Sequence, residues 1–216
     1  VESMKEWPEV AIGKNPHEEV LKHKDEIVRR FKEILELSGF DLGYPGIMDA
    51  DGGRGTPTRQ WEVLELITRG YVLQPTLHRM YPDYCKGEEQ PLRICPGIKF
   101  ISVCEHHFAP FFGHVHIAYI PSGGKVAGLS KLPQLVEKHA LRPQIQEKMT
   151  EQIACELMET CELEDVMVVI EGRHTCEIIE GYRRDAPYIT SSVKGRFFSV
   201  ESLRNETLHL MGLSIR

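Results

Sequence analysis

The sequence predicts an α+β domain preceded by a helical extension, and three observations carry that prediction. Two runs of strand type, residues 98–103 and 114–120, lie ahead of a helical pair, and a third, residues 166–171, follows it. The pair itself, from Leu129 to about Leu141 and from Arg142 to Cys161, repeats apolar residues at helical spacing. Upstream, the periodicity is helical, so the expected division is a helical extension over residues 1–70 and the α+β domain over 71–216.

The elements follow in order. Asn15-Pro16-His17-Glu18 reads as a helix start, with Asn at the cap and Pro in the first turn. Val20, Ile27, Phe31, Ile34 and Leu35 continue the helix until Ser38-Gly39 ends it, and its charged run from Lys22 to Arg30 reads as a solvated face. Asp51-Gly52-Gly53-Arg54-Gly55 lacks the Gly-Lys-Ser/Thr ending of a phosphate loop and reads as a linker. Thr56-Pro57 opens a second helix to about Arg69, with Trp61, Leu64 and Ile67 on its apolar stripe. Residues 70–96 read as irregular connection, and Pro121-Ser122-Gly123-Gly124 as a turn after the second strand. Ile145, Met149, Ile153, Leu157 and Met158 form the core stripe of the longer helix, which puts Gln146-Glu147 in mid-helix. After the strand at 166–171 come a segment from His174 to about Tyr182, a strand-like piece at 196–200 and a short helix from Leu203 to Met211.

Composition bounds the function. A formal net charge of −6 argues against a basic face for nucleic acid. No apolar stretch is long enough to cross a bilayer, and VESMKEW carries no signal-peptide pattern. Six cysteines, at 85, 95, 104, 155, 161 and 176, form no dense disulfide framework, so a cytoplasmic protein is expected, with Cys155 and Cys161 as packing residues.

The chemistry concentrates in Cys104-Glu105-His106-His107. Thiolate sulfur and imidazole nitrogen are the donors zinc prefers, and a catalytic site takes three protein ligands. Cys104 and His107 supply two; the third must come from His174-Thr175-Cys176, where His and Cys again lie within two residues. Histidines beside the ligands suit proton transfer, because an unperturbed imidazole titrates near neutrality. Ser130-Lys131 stands at a helix start, either as a cap with an exposed lysine or as an anion site. A buried glutamate in place of a solvated Glu147 would match two N–H donors of a guanine edge.

Four motifs in order, Cys104-Glu105-His106-His107, Gly128-Leu129-Ser130-Lys131, Arg142-Pro143-Gln144-Ile145-Gln146-Glu147 and His174-Thr175-Cys176, resemble GTP cyclohydrolase I, with Thr56-Pro57-Thr58-Arg59 similar to an upstream motif of that family. The resemblance covers about residues 98–200. It implies a tunnelling fold with an antiparallel sheet and a helical pair packed on it, assembled as a homodecamer of two pentamers with active sites between subunits. It implies conversion of GTP to 7,8-dihydroneopterin triphosphate and formate, with water activated by Zn2+ attacking C8 of the purine. By the same resemblance Cys104, His107 and Cys176 hold zinc, His106 and His174 carry protons, Glu147 with Gln146 anchors guanine, and Ser130 and Lys131 meet the ribose triphosphate, Ser130 being linked to the later sugar rearrangement.

Two positions depart from the family pattern. Gln134 and Glu180 stand where the family usually has triphosphate-binding arginines; Arg183 and Arg184 are near enough in sequence to compensate, and Arg59, Arg142 and Arg173 are further candidates. The departure keeps two alternatives in view: a zinc hydrolase of the same fold acting on another purine nucleotide, and a non-catalytic subunit.

Overall fold

The computed structural model describes residues 14–42, 55–75, 80–82, 91–123, 125–182 and 187–213. Cys85, the glycines at 52 and 53, Arg183 and Arg184 lie outside the described residues. The chain divides into two compact units, Val1–Val72 and Leu73–Arg216.

The first unit contains α1 (Pro16–Lys22), α2 (Lys24–Leu37) and α3 (Thr56–Thr68). Asn15 caps α1 by accepting from the His17 amide at 3.0 Å. The single expected helix is interrupted at His23, whose φ of −103° and ψ of 26° leave the helical region. One intervening residue barely disturbs the periodicity, which is why the sequence reads as continuous. Polar bonds tie the helices together: His17 Nδ1 lies 3.1 Å from Thr68 Oγ1, and Trp61 Nε1 donates to the Val20 carbonyl at 3.0 Å. The Lys24 ammonium sits 4.4 Å from the Trp61 ring centroid. On α2, Glu26 and Glu33 pair with Arg29 and Arg30, whereas Ile34 and Leu37 stay exposed. Exposed helix pairs of this kind add little to stability, because solvent and salt screen them.

The second unit is built on β2 (Arg93–Cys104), β3 (Pro110–Tyr119), β5 (Pro143–Gln144), β6 (Val166–His174) and β7 (Tyr188–Val193), in sheet order β5-β2-β3-β6-β7. All pairings are antiparallel except that of β5 with β2. Short β1 (Met80–Pro82) and β4 (Lys125–Ala127) form a separate pair. Because side chains alternate along a strand, Phe100, Phe111, Val115, Ile117, Val168 and Ile170 share one face. That face packs under α4 (Lys131–Ala140) and α5 (Gln146–Cys161) through Leu132, Leu135, Met149, Ile153 and Leu157. On the other face Ala118, Met167 and Val169 meet Phe197 of α7 (Arg196–Ser199) and Met211 just beyond α8 (Glu201–Leu210). The short α6 (Thr175–Ile179) follows β6 directly. A bulge in β2 at Pro96-Gly97, where Gly97 has φ of +70°, shifts the register so that both Cys95 and Ile98 face the helices.

Three sequence expectations are corrected. Residues 142–145 do not restart a helix: Pro143-Gln144 pairs with Val103-Cys104, and α5 begins only at Gln146. Proline disfavours helical backbone in the residue before it, and Arg142 precedes Pro143. Gln146 and Glu147 are therefore the first two residues of a helix, not mid-helix residues. Residues 196–199 are helical, because Asp165 Oδ1 accepts from the Arg196 amide at 2.6 Å and Oδ2 from Arg196 Nε at 2.7 Å. The strand after the metal stretch's second half is instead β7, whose Thr190 and Ser192 bond Thr150 and Glu151 of α5. Burial pushes the Cys155 and Cys161 thiols up to about 11, in keeping with packing roles.

A polar cluster ties α4 to α5. His139, 4% exposed, lies with Nε2 2.9 Å from Glu156 Oε2, and Arg142 Nη2 bonds its Nδ1. A nitrogen that accepts from a guanidinium carries a lone pair, so His139 is neutral and donates through Nε2. Burial lowers its pKa. Burial opposes ionisation of Glu156, but bonds from His139 and Lys138 outweigh it and bring the carboxyl from 4.5 to about 2. Both depressed values give stability that is complete above the unfolded-state pKa and lost as pH falls through the folded one. The urea midpoint is expected to drop first below about pH 6.5, as His139 protonates, and again between about 4.5 and 2. The second step is on the order of 3 kcal/mol and should flatten in Glu156→Gln. A wild-type midpoint unchanged between pH 7 and 3 would contradict this account.

Candidate active site

The metal stretch forms the connection between β2 and β3. Cys104 N donates to the Ala109 carbonyl at 2.8 Å and Phe108 N to the Cys104 carbonyl at 2.9 Å, closing a tight loop. Phe108 takes φ of +52°, a left-handed conformation that is strained for a side chain this large. Across the sheet, Phe111 of β3 pairs with His174 at the end of β6. Thr175 Oγ1 donates to the Pro110 carbonyl at 2.6 Å, which fixes α6 beside the loop. Two segments far apart in sequence thus meet at one end of the sheet.

Ligating atoms of Cys104, His107 and Cys176 all lie within 4.8 Å of one another. Among the described residues this is the group of three or more such side chains that could hold a metal ion. Cys104 Sγ is 3.8 Å from His107 Nδ1, and His107 Nε2 is 3.0 Å from Glu180 Oε1. Burial and then the neighbouring Cys104 thiol push the Cys176 thiol up. Two thiols with one imidazole are a donor set suited to zinc.

A cleft of about 320 Å³ opens on this group, lined also by His106, Gln146, Glu147, His174, Glu180 and Tyr188. His106 is exposed, with its ring nearly perpendicular to that of His107 at 6.2 Å between centroids. His174 stacks on Phe111 at 4.4 Å between centroids and 6° between planes. Its Nε2 lies 2.9 Å from Gln146 Oε1. Gln146 is 1% exposed, and its Nε2 donates to Tyr188 O at 3.0 Å and Thr190 Oγ1 at 3.1 Å, with Ile170 O at 3.2 Å. Turning the amide round would set its oxygen against two carbonyl oxygens, so Oε1 must face His174, and His174 must be the donor through Nε2.

Glu147 is exposed, and Tyr188 donates its hydroxyl to Glu147 Oε1 at 2.7 Å. Glu105, on the same loop as the metal stretch, pairs with Lys148 at 3.5 Å. Ser130 and Lys131 lie at the start of α4 and do not line this cleft; Ser130 makes no side-chain cap bond, and Lys131 Nζ reaches Gln134 Oε1 at 3.5 Å. Arg183 lies outside the described residues. Sequence reasoning missed Tyr188 and the contact of Glu180 with His107. Neither carries a motif; each becomes visible only when β7 and α6 are placed beside the loop.

The family model described as GTP cyclohydrolase I matches residues 27–212. A protein named GTP cyclohydrolase 1 from Clostridium perfringens (strain ATCC 13124) is 37% identical over 191 residues, covering 88% of this chain and 98% of that one. Its namesake from Bacillus subtilis (strain 168) is 38% identical over 187 residues, covering 86% and 94%. That from Carboxydothermus hydrogenoformans is 39% identical over 190 residues, covering 88% and 95%. The antiparallel-dominated sheet under a helical pair is the α+β architecture expected of the tunnelling fold. Motif order, fold and the extent of these matches agree: the chain belongs to the GTP cyclohydrolase I family.

Proposed function

We propose that the chain hydrolyses GTP at C8 of the purine, yielding 7,8-dihydroneopterin triphosphate and formate, with zinc held by Cys104, His107 and Cys176. The observation that carries the reading is the convergence of those three side chains with His106, His174 and Glu147 around one cleft. Bound there, zinc supplies Lewis acidity that makes water a strong nucleophile near neutral pH. The chain's own residues supply the rest. Gln146 holds the Nε2 proton of His174 and leaves Nδ1 as its basic nitrogen, so His174 moves protons in a fixed tautomer. His106, at the exposed edge, is the second proton carrier. Glu147, oriented by Tyr188 and placed in the first turn of α5, accepts the adjacent ring and exocyclic N–H groups of guanine. Gln146 supports the site from behind, its amide being engaged with His174, β6 and β7.

Ser130, Lys131 and Arg183 are assigned to the ribose triphosphate. Since Ser130 and Lys131 do not line the cleft beside their own metal group, a second copy supplies them in this reading, as in a decamer of two pentamers. The place of Glu180 in the cleft favours one alternative, a purine nucleotide with fewer phosphates.

Zinc-loaded protein is expected to release one formate per pterin from GTP, read by formate assay and by fluorescence after oxidation. Formate from GMP or another purine nucleotide, but not from GTP, would transfer the assignment to that alternative. Absence of turnover with every purine nucleotide tested, in a zinc-loaded oligomer, would leave a non-catalytic subunit.

A further inference from the structure

We propose that Glu180 is a positioning residue for the metal centre, orienting His107 as a ligand from outside the ligand set. The inference rests on the reading of Cys104, His107 and Cys176 as metal ligands. It begins from the imidazole of His107, which is exposed on the loop and would otherwise turn about its side-chain bonds. The ring is held at both nitrogens. Nδ1 lies 3.8 Å from Cys104 Sγ, and Nε2 lies 3.0 Å from Glu180 Oε1.

An ionised carboxylate only accepts hydrogen bonds, so the nitrogen facing it must carry the proton. That places the Nε2 proton toward Glu180 and the Nδ1 lone pair on the side of the two thiols. Carboxylates paired in this way with ligating histidines fix the tautomer and the ring angle and make the imidazole a better donor. Glu180 reaches His107 from a rigid mount. Its backbone N–H donates to the Cys176 carbonyl at 3.0 Å, so Glu180, the residue that caps the C-terminus of α6, lies one helical turn after Cys176 and faces the same way. A single helical turn therefore delivers one ligand and the group that orients another.

This gives the departure at Glu180 a physical meaning. The arginine usual at this position has no acceptor and could not hold an Nε2 proton. What the site gives up in phosphate contact it replaces with a contact that supports the metal.

The test is zinc titration of the full-length chain, stripped of metal, against a chromophoric chelator, together with the absorption spectrum of the Co2+ form. Wild type is expected to bind one metal per chain. Glu180→Ala should bind zinc about 10- to 100-fold more weakly, with an altered Co2+ spectrum. Glu180→Gln keeps a carbonyl oxygen that accepts from Nε2 and should stay within a few-fold of wild type. Glu180→Arg should lose at least as much as the alanine variant. Thermal midpoints of the metal-free variants should match wild type, because the contact serves the loaded site. Zinc affinity and Co2+ spectra unchanged in both Ala and Arg variants overturn the proposal while leaving the three-ligand reading intact. Failure of wild type to bind one metal per chain overturns both. A lowered metal-free midpoint with equal affinity losses in Ala and Gln variants would make Glu180 a support for α6, and that too overturns the proposal.

Discussion

Cys176→Ser is expected to empty the cleft of metal and to lower formate release from GTP by a factor on the order of 10³, equivalent to about 4 kcal/mol of barrier. Three converging side chains that could hold a metal ion make the prediction severe. Cys104 and His107 belong to one loop, whereas Cys176 alone brings α6 into the set, so its loss leaves two donors on a single segment. A hydroxyl is a poor replacement for a thiolate, since it remains protonated near neutral pH. Metal content by atomic spectroscopy and formate release should fall together. His106→Ala is the companion measurement: it should keep the metal and lose turnover. Loss of metal from His106→Ala instead would mean that the ligands are wrongly assigned.

Gly172→Ala is expected to reduce turnover of GTP by about 10²-fold without loss of metal. The glycine lies on β6 directly beside Gln146, and a methyl group there would run into Gln146 Oε1, the atom that bonds His174. Gln146 has nowhere to go, because its amide nitrogen is bonded to Tyr188 O and Thr190 Oγ1 and the residue is buried. Relief must come from displacing the amide oxygen, which frees the imidazole from its fixed tautomer. The overpacking should also cost about 1–3 kcal/mol of stability, read from urea unfolding. If turnover at saturating GTP stays at the wild-type level, Gln146 does not govern His174. A reduced rate with normal metal content is the signature expected, in contrast to the cysteine variant.

The parts of the site legible in the sequence are those whose partners are near in the chain or chemically distinctive. Cys104 and His107 share a loop, and Cys176 is a soft donor beside a histidine, so residue type alone suggests their meeting. Gln146 is different. Its partners sit on β6 and β7, so a polar residue in a helical stretch reads as solvated until the sheet is in place. The expected start of the longer helix at Arg142, four residues ahead of its observed start at Gln146, has a similar origin. Leu141, Ile145, Met149 and Ile153 fall four apart, which mimics one apolar stripe, although Pro143 interrupts it with a parallel strand pair. Strand β7 escapes because Thr190 and Ser192 face α5 through hydrogen bonds, so it lacks the alternation of apolar and polar residues that marks a half-buried strand. The strand-like Arg196–Val200 is helical because Asp165 caps it from the other end of β6, a contact that only the fold creates.

The bulge at Pro96-Gly97 gives β2 a parity rule. From Ile98 onward every second residue, through Phe100 and Ser102 to Cys104, is turned to the helix side, where the cleft lies. Inserting or deleting one residue between the bulge and Cys104 would aim the thiol at the opposite face even if all the strand pairing survived. An insertion of two would preserve the aim and merely lengthen the strand. Length variation in β2 between the bulge and the metal stretch is thus permitted only in even steps, a constraint of arithmetic rather than of side-chain identity.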